Sequence, residues 1–150
     1  FADSLKFHTL RKNRVVYGGG GIMPDYFVPL DTMRFTTFHR KLMAKGIVLD
    51  NDLKFMDSHR KQLKAKYPQF SAYLEHFTVP QQLVDSIISD GKKQKIEPKD
   101  KAELDRTLVY LRAQLKALIA RDIWDMSQYF QVMNQQSDIV TKALEVINRP

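Results

Sequence analysis

The sequence predicts a mainly α-helical fold, a multi-helix domain preceded by a short β- and glycine-rich segment, and three observations carry that expectation. Apolar residues recur every three or four positions over most of the chain after residue 30, the period of helices with one buried face. Four of the six glycines and two of the six prolines fall before residue 31, among short β-branched and aromatic runs. At 150 residues, 43% of them apolar, the chain is long enough to bury a core without disulfide or metal. The expected boundaries are 1–30 and 31–150.

In the first region, Lys6 to Leu10 and Arg14 to Tyr17 suit strands, and Tyr26-Phe27-Val28-Pro29 reads as a third. Gly18 to Gly21 interrupts them, because four glycines lose too much backbone entropy to lie within an element. Two or three short strands leave a sheet edge that must be paired or covered.

The second region divides into helices. Asp31 or Thr32 is expected to cap a first one ending at Lys45, with Gly46 as terminator and Phe35, Phe38, Leu42 and Met43 on its apolar side. A second runs from about Asp50 to Lys66 with Leu53, Met56 and Leu63 inward, and stops before Pro68. A short helix spans Ser71 to Phe77. Pro80 is expected in the first turn of the next, whose apolar face is Leu83, Val84, Ile87 and Ile88. Gly91 to Lys95 reads as a solvated loop. From Pro98 the stripe Leu104, Leu108, Leu111, Leu115, Leu118 points inward; prolonged, it would bury Asp122. A shifted seam through Ile119, Ile123, Met126, Phe130 and Met133 implies a bend or a restart near Arg121. The last helix, Asp138 to Ile147, is expected to turn Ile139, Leu144 and Ile147 inward.

Several chemistries are excluded. With no cysteine there is no disulfide, thiolate metal site or cysteine nucleophile. No apolar run approaches the ~20 residues of a membrane span. The formal charge is +7, yet five of the surplus positive charges lie in residues 1–46, leaving the helical two-thirds nearly neutral. No nucleic-acid partner is therefore expected. The glycine run lacks the lysine, the hydroxyl residue and the helix start of a phosphate loop. His8, His39, His59 and His76 include no pair at helical spacing for a metal. Asp57, Ser58 and His59 are consecutive, so their side chains diverge by ~100° each on a helix and form no triad. None of Ser4, Ser58, Ser71, Ser86, Ser89, Ser127 and Ser137 sits in a nucleophile-turn context. Arg121, Asp122, Trp124 and Asp125 form the most notable polar cluster, read as an interhelical staple: a buried Asp122 needs a partner from Arg121 or a neighbouring helix.

Phe7-His8-Thr9 and Arg14-Val15-Val16-Tyr17-Gly18-Gly19-Gly20-Gly21-Ile22-Met23-Pro24-Asp25 resemble the end of the protease core in carboxyl-terminal processing peptidases, the tail-specific serine proteases. Asn13 stands where that family usually has glycine, and asparagine tolerates the same left-handed backbone. Leu115 to Met126 is similar to the helical extension of the Bacteroides-type members. The resemblance implies a serine–lysine dyad and a PDZ module upstream, protein or peptide substrates, and a periplasmic or cell-envelope location. It makes residues 1–30 the tail of the peptidase core and 31–150 a non-catalytic helical domain, consistent with a chain opening on Phe1 as a piece of something longer. On this reading the chain holds no catalytic, cofactor-binding or metal-ligating residue; self-association stays open. The alternative is a stand-alone helical adaptor for protein interactions.

Overall fold

The computed structural model describes residues 3–21, 24–29 and 34–150. The chain divides into two compact units, Phe1–Leu30 and Asp31–Pro150.

In the first unit a 3-10 turn, Asp3–Leu5, leads into β1 (Lys6–His8), which pairs antiparallel with β2 (Val15–Tyr17) in the register Phe7 opposite Val16. The hairpin loop closes on itself. Thr9 N–H donates to the Arg14 carbonyl, Arg14 N–H donates to Thr9 Oγ1 at 3.0 Å, and Asn13 takes a left-handed φ of 49°. Short asparagine side chains tolerate that conformation. Arg14 also pairs with Asp25. The third expected strand does not form. The sheet has two strands, and residues 26–29 lie outside it, where Pro29 has no N–H to offer a ladder.

The second unit is helical: α1 (Thr37–Ala44), α2 (Ile47–Lys66), α3 (Phe70–His76), α4 (Gln81–Lys93), α5 (Lys101–Ile123), α6 (Met126–Asn134) and α7 (Asp138–Ile147). Thr36 caps α1, its hydroxyl accepting from His39 N–H at 3.1 Å. The caps expected at Asp31 and Thr32 lie outside the described residues, and the helix begins later than the spacing of Phe35 suggests. α2 starts at Ile47, three residues before Asp50, and the turn between the helices is two residues, Lys45 and the left-handed Gly46 with φ of 71°.

The buried face of α2 runs through Ile47, Val48, Asp52, Met56 and Leu63, whereas Leu53 is exposed. The sequence pattern misplaces Leu53 because a carboxylic acid, Asp52, occupies the inward position beside it. Pro80 is the residue before α4 rather than part of its first turn. α4 keeps its expected apolar face but continues through Gly91 to Lys93, where a solvated loop is expected. It ends in a Schellman motif. Lys95 N–H donates to the Lys92 carbonyl at 3.0 Å and Ile96 N–H to the Gly91 carbonyl at 2.8 Å, with Lys95 left-handed and Ile96 buried.

The helical position of Gly91 leaves no room for a larger residue. A Cβ there would lie 2.7 Å from Leu42 Cδ2 and 3.2 Å from the Ile96 carbonyl oxygen. Gly91→Val should therefore cost about 1–3 kcal/mol by overpacking, read as a lower denaturant midpoint at unchanged slope. A variant as stable as the parent would show that α4 can move off Leu42 freely.

Asp100 caps α5 by accepting from Glu103 N–H at 2.8 Å. Along α5, Leu111, Leu115 and Leu118 are buried and Leu104 and Leu108 partly so. The helix stops at Ile123. Trp124 turns the chain, Asp125 caps α6, and the shifted seam breaks: Ile119 and Ile123 are buried, but Met126 and Phe130 are exposed. The restart rotates α6 so that Val132, with Tyr129 and Met133 beside it, faces the core. α7 has the expected limits and a Ser137 cap, but Ile139, Leu144 and Ile147 are 59%, 55% and 75% exposed, and none of its residues is buried. Periodicity located this helix and its apolar face, but no described residue of its own unit buries that face.

Candidate functional site

Polar groups inside the helical unit collect where α5 meets its neighbours. At one level α5 joins α1: the Thr36 and Thr107 hydroxyls bond each other, and His39 Nε2 bonds Gln114 Oε1 at 2.7 Å. His39 is fully buried, with Phe35 edge-on at 5.2 Å. Burial lowers its pKa, outweighing the Gln114 bond, so the ring is held neutral. Gln114 and Thr107 fall within the leucine stripe of α5, where apolar periodicity gives no sign of them.

At the far end of α5 lies the more unusual cluster. Asp52 of α2 is fully buried, and its carboxyl meets that of Asp122 within hydrogen-bond reach. Both Asp52 oxygens and Oδ2 of Asp122 are buried without another hydrogen-bond partner. Asp122 Oδ1 accepts from Arg121 Nη2 at 3.0 Å and Nε at 3.1 Å, and Arg60 Nη1 donates to the Asp122 carbonyl at 2.6 Å. Arg60 thus reaches across from α2 to an orphan carbonyl at the α5 C-terminus. Burial first, then the neighbouring Asp122 carboxyl, pushes the Asp52 pKa up to about 8, against smaller opposing effects from Arg121 and Arg60.

Beside this pair stands Tyr73, which belongs to a cluster of five aromatic rings. Tyr73, fully buried, stacks on Phe77 at 4.7 Å and meets Trp124 and Tyr67 edge-on at 5.3 and 5.7 Å; Trp124 also meets Phe70 at 5.4 Å. The Tyr73 hydroxyl donates to the Lys116 carbonyl at 2.7 Å, and burial keeps its phenol protonated. Lys116 Nζ donates to the Leu74 carbonyl at 2.7 Å. Two carboxyl groups in contact resemble acid–base machinery, but catalysis requires substrate access. Asp52 offers none.

Asp122 does come inward, as the prolonged stripe requires, but its main partner besides Arg121 is another acid. Asp57, Ser58 and His59 diverge on α2: Ser58 Oγ donates to the Lys54 carbonyl, and His59 stacks on Phe55 at 4.2 Å. Ser86 bonds back to the Gln82 carbonyl. His8 and His76 are exposed. Among the described residues no group of three or more His, Asp or Glu could hold a metal, and no helix is long and apolar enough to cross a membrane.

These features define a helical unit tied through α5 by buried polar contacts, with one amphipathic helix left uncovered. The model of a family of unknown function, DUF8443, matches residues 38–125, from α1 to the start of α6, and the chain belongs to that family. No curated protein and no solved structure matches it. The peptidase resemblance is thereby corrected: the match is to a family without assigned activity, and no peptidase family is found. Residues 7–25, which carried most of that resemblance, lie outside the matched stretch. Leu115 to Met126, which carried the rest, spans the α5–α6 break at the end of it, with Met126 just beyond. A short motif of glycines, proline and a β-hairpin reflects turn chemistry that unrelated chains share. The upstream dyad, the PDZ module and the envelope location rested on the resemblance and lose that support.

Proposed function

We infer that this chain is a non-catalytic helical module for protein interactions, and that α7 is the element that docks. The observation supporting this reading is the apolar face of Ile139, Leu144 and Ile147, more than half exposed on a capped helix. An amphipathic helix of this kind is suited to lie in an apolar groove of another protein, anchored at i, i+5 and i+8. The charged residues of α7 and of the turn after it are balanced, Asp138 and Glu145 against Lys142 and Arg149. Asp138 pairs with Arg34 at 3.4 Å, and Glu145 pairs with Lys142 at 3.1 Å and with Arg149 at 2.6 Å. A helix drawn to an anionic membrane surface would instead carry a basic polar face. The partner is therefore a protein surface recognised by shape and apolar contact.

Photo-crosslinking from position 147 in the native cell tests this. The expected product is an adduct to one other protein, mapped to an apolar surface and reduced at least tenfold by Leu144→Glu. That substitution should leave helix content unchanged, since α7 contributes nothing to the buried core. Adducts only to lipid, or a protein adduct unaffected by Leu144→Glu, would overturn the reading.

A further inference from the structure

We propose that Asp52 and Asp122 hold one proton between them at neutral pH, and that this proton locks α2 to the C-terminal end of α5. The geometry carries the inference. Two carboxyl groups from helices far apart in sequence meet in the core, and three of their four oxygens have no other hydrogen-bond partner. Two ionised carboxylates cannot be buried in contact; one must keep its proton and donate it to the other. The remaining acceptor, Asp122 Oδ1, is already satisfied by Arg121, so Asp122 is the better place for the negative charge and Asp52 for the proton.

The surroundings agree. Arg60 on α2 and Arg121 on α5 supply positive charge, and the Arg121 guanidinium is bonded to Asp122. The group facing the pair from α3 is the Tyr73 phenol, which donates its proton elsewhere, to the Lys116 carbonyl. The pair thus carries one negative charge while the proton is shared and two once it is lost. When it leaves for solvent, two anions face each other across the α2–α5 contact, where the α5 terminus already presents carbonyl oxygens.

The sign of the pH effect follows. The native state holds a proton that the unfolded chain has released above the ordinary carboxylate range, so this contribution weakens as pH rises through the acid-to-neutral range and is lost above the native pKa. Each pH unit in that window should raise the unfolding equilibrium constant by up to tenfold. His39, held neutral in the core, acts with the opposite sign on the acid side and does not reach the alkaline limb.

The test is denaturant unfolding of the full chain from about pH 5 to pH 9, comparing the parent with Asp52→Asn. The carboxamide can donate permanently to Asp122, so the parent should lose stability toward alkaline pH while Asp52→Asn keeps a flat limb and becomes the more stable protein there. Infrared spectroscopy of the folded parent gives an independent readout: a protonated carboxylic-acid band should persist at pH 7 and vanish at alkaline pH. If Asp52→Asn fails to fold, that band decides alone. No such band at pH 7, or parallel pH profiles for parent and variant, would overturn the proposal.

Discussion

Tyr73→Ala should destabilise this protein by about 3–5 kcal/mol, the range for emptying a fully buried aromatic site. The ring is completely enclosed and touches four others, Tyr67, Phe70, Phe77 and Trp124, which come from α3, its flanks and the break after α5. Truncation removes the ring's burial and leaves a cavity whose walls belong to separate elements and cannot all collapse inward. Tyr73→Phe separates these effects, since it keeps the ring and removes only the hydroxyl that donates to the Lys116 carbonyl. That variant should lose only about 0.5–1.5 kcal/mol. Denaturant melts with unchanged slope would establish both values. If Tyr73→Ala cost no more than Tyr73→Phe, the aromatic cluster would not be holding the α3 and α5 ends together.

How much of this was legible in the sequence depends on what kind of signal each feature leaves. Helices with one apolar face announce themselves by period, so α2, α3 and α7 were found close to their limits, α6 only as a bend or a restart near Arg121, and the buried aliphatic residues of α4 and the buried leucines of α5 were found by name. Polar core residues leave no such signal. Asp52, Gln114 and Thr107 interrupt the apolar pattern, and a carboxylic acid on an inward position is indistinguishable from one on the surface until its neighbour is known. For the same reason Leu53, beside Asp52, was placed inward when it faces out. The one polar position the pattern did flag was Asp122, because a long leucine stripe pointed straight at it.

The remaining differences have local causes. Gly91 is a strong loop signal on conformational grounds, yet it lies within α4, at a place where Leu42 and the Ile96 carbonyl occupy the space a side chain would need. Met126 and Phe130 continue the period of α5, but the chain turns at Trp124 and the next helix starts with a new rotation. On α7 the apolar face was real and its burial was not, since periodicity shows which residues share a face and says nothing about whether the chain supplies a cover. Turn chemistry in the glycine segment pointed to a peptidase that the family match does not support.

Leu115→Ala should cost about 2–5 kcal/mol. Leu115 lies at the centre of α5, the helix that packs against α1, α2 and α6, and its side chain is completely buried. Around it Ala117 and Ala120 are also fully buried, so there the helices approach closely on small side chains and leucines fill the remaining volume. Losing the isobutyl group removes its transfer free energy and adds a cavity cost of ~24 cal/mol per Å³ left unfilled. The walls are set by helices already fixed through the His39–Gln114 and Asp52–Asp122 contacts, so relaxation should be limited and the cost should fall in the upper half of the range. Val109, on the same helix but 56% exposed, is the internal control: Val109→Ala should change stability by no more than about 0.5 kcal/mol. Paired denaturant melts of the two variants check the assignment of faces directly. A Leu115→Ala loss no larger than that of Val109→Ala would mean that α5 is not the central helix of this core.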